Sequence, residues 1–582
     1  MKRIIASILF LSIYSCDAQV TGNIKLNQLG FYPNADKVAV VTSDAQSSTF
    51  YILRLPSKDT VLKGILTDSI HSQWSAPATR IARFSQVTKP GNYIVYVNGV
   101  GESYPFSITK NVLHVVAVSS LKGFYYQRLS TPLEEKYAGK WARPAGRPDD
   151  KVIIHPSAAS AKRPAGTTIA TPGGWFDAGD YNKYIVNSGI TMGTLFSAYE
   201  DFSKYFDTIK TNIPESKDAI PDILNETIYN LRWMLTMQDP DDGGVYNKCT
   251  EASFDGMVMP DAHAVARYVV QKGTAAALDF AAVTSQAARI LKKFNKQLPG
   301  LADSCHHASI KAWQWALLHP NMAFNQDAFN KQFDPKITTG GYGDGNFKDE
   351  WFWAACELLV TTKDKQFADT IQSRWSDTLL LPSWNNVKAL GVYTLLRNNS
   401  SFNLLNSISS NDAKNRIISF AQRLITKGGD KAYQTIMGSS RGDFNWGSNS
   451  GALNQSIVLI NAYLATQENK YINEALKNID YILGRNATGY CFVTGTGTKS
   501  PMHIHHRSSV ADGIAEPVPG LLAGGPNPSQ QDKCEGYPSK LPAESYLDAD
   551  CSYASNEIAI NWNAPLVYVA NAIEALQGKL SK

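Results

Sequence analysis

No run of basic residues long enough to track a phosphate backbone occurs in the 582 residues: 56 lysines and arginines and 51 aspartates and glutamates are spread along the chain, for a formal net charge of +5. Nucleic acid is therefore excluded as the expected partner. Charged residues make up only 18% against 43% hydrophobic, a balance that excludes wholesale disorder and fits a soluble globular protein with a large core. Cysteine is scarce, seven in all, with no Cys-x-x-Cys pair and no Cys/His cluster at zinc-finger spacing. A structural zinc finger is thereby excluded too.

What is present begins with an apolar run, Ile4 to Tyr14, behind Met1-Lys2-Arg3. It is too short to cross a bilayer and reads as a secretory signal. Leu11 to Cys16 resembles a bacterial lipoprotein processing site, with Cys16 the lipidated residue, although Tyr14 stands where a small residue is usual; plain cleavage near Ala18-Gln19 is the alternative. The expectation is a leader over residues 1–19 and an exported outer-membrane lipoprotein that meets the membrane only through its lipid. No acidic run follows Asp17, so periplasmic and surface placement both stand. The other six cysteines, Cys249, Cys305, Cys356, Cys491, Cys534 and Cys551, would meet an oxidising compartment where disulfides are allowed.

The length exceeds what one core supports. Lys37 to Thr42, Thr49 to Leu55 and Asn92 to Val97 are rich in β-branched and aromatic residues, with turns at Lys89-Pro90-Gly91 and Asn98-Gly99; residues 21–109 are expected to form a small all-β sandwich of immunoglobulin type. From Val112 the period turns helical. Ile220, Ile223, Leu224, Ile228, Leu231, Met234 and Leu235 share one stripe, and Ile472 to Leu483 form another that stops at Gly484. Similar stretches lie near 185–203, 262–271, 275–296, 348–361, 411–427, 449–465 and 564–578. About a dozen helices suffice for six hairpins closed into a ring over 112–582, with long Gly-, Pro- and Asp-rich connections to carry a site. Twelve tryptophans and 27 tyrosines suit stacking on flat ligand faces, though core filling accounts for most of them.

Three segments carry chemistry. In Gly173 to Tyr184 (GGWFDAGDYNKY), Asp177 and Asp180 lie three residues apart among glycines and aromatics, able to hold one water between them; two hydrogen-bonding aspartates in a turn would look the same. In Tyr546 to Pro565, Glu557 sits among apolar and aromatic neighbours, which raise a carboxyl pKa and keep the acid protonated; a buried structural glutamate is the alternative. Pro501 to Arg507 (PMHIHHR) offers three histidines and an arginine as donors for sugar hydroxyls or as metal ligands.

WFDAGDYNKY, PMHIHHR and YLDADCSYASNEIAINWNAP, in that order, resemble the signatures of the family 9 glycoside hydrolases, endoglucanases with an (α/α)6 barrel, and Asn27 to Pro33 (NQLGFYP) resembles the immunoglobulin-like module that often precedes the barrel. The resemblance spans nearly all of the chain after the leader. It implies an inverting endo-β-1,4-glucanase acting on β-glucan, with Asp180 as general base, Asp177 sharing its water, and Glu557 as general acid. It further implies substrate-binding roles for His505, Arg507 and Asp548, and for Trp313 and Trp446 as sugar-stacking positions, the two tryptophans having core packing as the alternative. Inverting chemistry needs the two carboxyls about 6.5–9.5 Å apart.

No cofactor is required for that chemistry. Many members bind zinc just upstream of the DAGD motif, but Ala161 to Pro172 holds neither Cys nor His, so no zinc is expected. Asp349-Glu350 resembles the family's calcium loop; Asn385-Asn386 after Ser383-Trp384, where an aspartate often stands, removes a charge and weakens the expected site. A disulfide between Cys534 and Cys551 would restrain the segment carrying Asp548, ending six residues before Glu557. The alternatives are an exo-acting glucosidase or glucosaminidase on the same scaffold and a glycan-binding lipoprotein without catalysis. The oligomeric state is not legible.

Overall fold

Among the described residues nine short strands lie between Ile24 and Ile108, most of them rich in β-branched and aromatic residues: β1 Ile24–Lys25, β2 Gly30–Phe31, β3 Val38–Val41, β4 Thr49–Arg54, β5 Asp59–Ile65, β6 Arg80–Arg83, β7 Gly91–Val97, β8 Gly101–Glu102 and β9 Phe106–Ile108. The computed structural model describes residues 19–43 and 46–580; Cys16 and the leader up to Ala18 lie outside the described residues. The strands form two sheets, β1-β3-β6 and β2-β9-β7-β4-β5 with β8 on β7. Phe31, Phe50, Ile52, Phe84, Val95 and Phe106 fill the space between them. β3 is buried along its whole length because its two faces meet two cores. Ala39 and Val41 point into the sandwich, whereas Val38 and Val40, with Ile81, pack on Ala432 and Tyr433 of the second region. Asn27 donates to Asp480 at 2.8 Å and Tyr32 to Glu574 at 2.6 Å across the same junction.

Eleven helices of ten residues or more follow among the described residues: α1 His114–Tyr126, α2 Ile185–Phe206, α3 Asp222–Thr236, α4 Thr274–Leu291, α5 Leu301–Leu318, α6 Lys348–Thr362, α7 Lys388–Arg397, α8 Ser410–Lys427, α9 Ser448–Thr466, α10 Asn469–Ile482 and α11 Ile560–Leu576. Composition sorts them. α4 buries nearly every residue and α9 and α11 most of theirs, whereas α8, started by a Ser409/Asp412 capping box, buries only Ala413, Ile417, Phe420 and Ala421; the first kind is interior and the second an outer, amphipathic helix. Packing runs from α2 to α4, α6, α7, α8, α9 and α11 and returns to α2, a closed circuit.

The stretch 262–271 is not a helix, a correction to the periodicity reading. Tyr268–Val269 is a strand (β14) in a third sheet with β10 Val152–Ile154, β11 Thr168–Ile169, β12 Lys183–Tyr184 and β13 Lys248–Thr250, in the order β11-β10-β14-β13-β12. Val269 and Val270 are buried there while Ala262 to Ala264 stay exposed, so the segment has no helical stripe to bury. α1, α5 and α7 were not among the expected stretches. No described helix is long and apolar enough to cross a membrane.

Candidate active site

Asp177 and Asp180 leave the chain in the loop between the Arg128–Trp175 bridge and β12. Asp177 is held from two sides: Asn187 Nδ2 on α2 donates to Oδ1 at 2.6 Å and the Tyr342 hydroxyl to Oδ2 at 2.7 Å. Asp180 Oδ2 accepts from Asn182 Nδ2 and from the Tyr184 hydroxyl at 3.2 Å. Asn182 presents its amide nitrogen to Asp180 because its Oδ1 is taken by the Glu251 amide at 2.8 Å and the Thr250 hydroxyl at 3.0 Å.

Gly179 joins this loop to the third motif. A Cβ there would stand 2.2 Å from the His505 carbonyl oxygen, so only glycine permits the approach. Its carbonyl accepts from the Arg507 amide at 3.1 Å and Nη1 at 2.9 Å. Glu557 follows the single turn Tyr553–Asn556 and pairs with His505 in a β-bridge. Asp548 stitches the two segments, accepting from the Met502 and His503 amides at 2.9 Å each and from Asn556 Nδ2 at 3.1 Å. The expected Cys534–Cys551 disulfide is present in the same loop.

Burial, and after it the Asp180 carboxylate, push both Asp177 and Glu557 up to about 8. The hydrogen bonds from Asn187 and Tyr342 oppose the shift of Asp177; Arg507 and the Gly179 amide oppose that of Glu557. At neutral pH Glu557 therefore carries a proton it can give away.

Asp177, Asp180 and Glu557 line one cleft of about 650 Å³, with Phe254, Tyr342, Trp384, Trp446 and Trp562 along its walls. The two expected stacking positions separate. Trp446 is 44% exposed in the cleft, its ring 5.4 Å from Tyr553. Trp313 is a core residue: it is buried on α5 against Trp351 and Phe367 at 4.8 and 5.2 Å, which corrects its expected role. His505, Arg507 and Asp548 are also absent from the described cleft lining. Arg507 spends Nε, Nη1 and Nη2 on the Asp255 and Gly179 carbonyls, His505 Nδ1 lies 2.5 Å from the Asp550 carbonyl, and Asp548 serves backbone amides. They tie together the segments that carry Asp180 and Glu557.

Trp384 and Trp562 were not singled out as sugar platforms, and Tyr342, whose ring lies 5.4 Å from Trp384, was not singled out at all. A local signal existed. The cleft tryptophans sit in Asn-, Ser- and Gly-rich surroundings (FNWGSN, SWNN, INWN), whereas Trp313 sits in KAWQWA within a helix.

Asp349 and Glu350 start α6, and the fold adds two carboxylates that spacing did not reveal, Asp279 on α4 and Asp344 in the preceding loop. Burial first, then the neighbouring carboxylates, raise the pKa of Asp279 and Glu350 well above their ordinary values. Among the described residues no three His, Cys, Asp or Glu form a ready metal cage. Even so, both oxygens of Asp279 and Glu350, Oδ2 of Asp344, Oδ1 of Asp349 and Oδ1 of Asn386 are buried without hydrogen-bond partners. Such an all-oxygen set fits a hard cation.

A family model described as glycosyl hydrolase family 9 matches residues 114–570, and one described as a cellulase N-terminal immunoglobulin-like domain matches residues 19–102. The chain is similar to a xyloglucan-specific endo-β-1,4-glucanase of Bacteroides ovatus, 46% identical over 554 residues covering 95% of this chain and 94% of that protein. It is 33% identical to endoglucanase D of Acetivibrio thermocellus over 94% of this chain and 83% of the relative. A solved structure described as Bacteroides ovatus GH9 superposes with a TM-score of 0.90 at 44% identity, covering 95% of this chain and 99% of that one.

Proposed function

Because the chain belongs to glycosyl hydrolase family 9, we propose that it is an inverting endo-β-1,4-glucanase in which Asp180 activates water and Glu557 protonates the departing oxygen. The observation that carries the reading is the placement of Asp177, Asp180 and a proton-bearing Glu557 around one tryptophan-walled cleft. In the reaction Asp180 takes a proton from water held between it and Asp177, the water oxygen bonds to the anomeric carbon, and the carbon–oxygen bond to the leaving sugar breaks as Glu557 gives that oxygen its proton. Asp180 ends protonated and Glu557 ionised, and exchange with solvent restores both.

The substrate is proposed to be a branched β-1,4-glucan of the xyloglucan kind. The 46% identical relative bears that specificity in its name, and Gly341, Gly442 and Gly451 in the cleft wall have no neighbour closer than 3.5 Å to an added Cβ, which leaves room for substituents. Product analysis on xyloglucan and on unbranched β-1,4-glucan tests this. The reading expects oligosaccharide mixtures from the first minutes and faster cleavage of the branched chain; monosaccharide as sole early product would instead indicate the exo-acting alternative.

The closed helix circuit supports an (α/α)6 barrel over residues 112–582, behind a structural sandwich over 21–109. The acidic turn at α6 supports a calcium ion held by Asp279, Asp344, Asp349 and Glu350, which would neutralise buried charge and fix the loop leading to Tyr342. The leader-like residues 1–19 support export, with Cys16 as the lipid-bearing residue and the outer membrane as destination.

A further inference from the structure

Behind the aspartate loop stands a cation that the reaction as written does not use. Lys248 on β13 pairs with Tyr184 of β12 and is fully buried. Its Nζ donates to Gln326 Oε1 at 2.6 Å, Thr339 Oγ1 at 2.9 Å and the Gly340 carbonyl at 2.6 Å, and lies 5.4 Å from the Tyr184 ring. All three acceptors are neutral. Burying an ammonium on neutral partners is costly: desolvation pulls Lys248 down to about 7, and the charge that opposes the fall is Asp180.

Two short routes lead from this ammonium to the aspartates. Thr339 Oγ1 meets Thr250 Oγ1 at 2.6 Å, Thr250 donates to Asn182 Oδ1 at 3.0 Å, and Asn182 Nδ2 holds Asp180. Gly340 lies two residues before Tyr342, whose hydroxyl holds Asp177. The groups facing Lys248 are thus Asp180 and Tyr184 from the loop and β12, the neutral Gln326, Thr339 and Gly340, and the Phe324 ring at 5.8 Å.

We propose that Lys248 is a positioning residue for the hydrolysis, one ammonium that pins the 339–342 segment and the Asn182 relay so that Asp177 and Asp180 address the same water. This rests on the roles given above to the two aspartates.

The test compares Lys248→Met, nearly the same length without charge, and Thr339→Val, which cuts the relay, with Asp180→Asn as reference. The expected result for Lys248→Met is an about 10- to 100-fold fall in kcat with KM within about twofold, because the aspartates lose their alignment while the cleft that binds substrate is kept. Thr339→Val is expected to lower kcat in the same sense by a smaller factor, again with KM little changed. Should Lys248→Met not fold, Thr339→Val carries the test alone. Unchanged kcat in whichever variants fold, or a fall matched by an equal rise in KM, beside an inactive Asp180→Asn, would overturn the role of Lys248 alone. An active Asp180→Asn would instead overturn the catalytic reading beneath it.

Discussion

Glu557 and Asp177 keep their protons to about pH 8, and burial, the first cause in each, makes the site reactive and the fold poorer at once. Both folded pKa values lie above those of the unfolded chain, so the native state binds these protons more tightly; the stability they contribute is complete below the unfolded values and is lost as pH rises towards 8. Glu557→Gln removes a titrating group that the fold disfavours when charged. It is expected to cut activity by about 10²–10⁴-fold and, at pH 8.5, to raise Tm by about 1–3 °C, with no gain at pH 4. The wild-type rate should fall on the alkaline side around pH 8 as the acid loses its proton. Melting curves and rate profiles across pH 4–9 check both, and a variant destabilised at pH 8.5 would contradict the assignment. Asp180 and Glu557, the proposed base and acid, stood out in the sequence because each sits in a contiguous motif whose neighbours reveal its environment. Trp313 was misjudged because a tryptophan's exposure depends on which helix face meets which neighbour, and that is decided by packing against Trp351 and Phe367.

At the scale of elements, the acidic start of α6 is the clearest unresolved tension. Burial raises all four carboxylates from α4, the 343–347 loop and α6, and neighbouring carboxylates add to the shifts of Asp279, Asp349 and Glu350; a ligand that binds only the native state stabilises it by mass action, about 2.7 kcal/mol at a hundredfold excess over Kd. Chelation is expected to lower Tm by several degrees, reversed by calcium but not by sodium at equal ionic strength; superimposable melting curves would remove the cation. Sequence showed half of this carboxylate cluster. Asp349-Glu350 stood in a recognisable loop, but Asp279 lies some 70 positions earlier and is joined to it only by the packing of α4 on α6. The short strands β12 and β13 were illegible for a similar reason: two or three residues carry no periodicity, and what makes them strands is the partner across the ladder. Lys248 lies in one of them.

For the whole molecule, two cores meet at a face that β3 announces by being apolar at every position, and the division into sandwich and helical region was readable because the hydrophobic period changes near Val112. How the helical circuit closes was not readable, since periodicity gives the helices but not their neighbours. The closure brings Asp180, from the loop before α2, into the same cleft as Glu557, from the loop before α11, because α2 and α11 are adjacent. That adjacency is the physical basis of the central claim, that acid and base act from opposite sides of one glycosidic bond with water between. Proton NMR of the anomeric region during the first minutes of hydrolysis of a β-1,4-glucan tests it most directly. Attack by water opposite the leaving group predicts the α-anomer first, relaxing to the equilibrium mixture by mutarotation; initial appearance of the β-anomer would mean a covalent glycosyl-enzyme and would contradict the roles of Asp180 and Glu557.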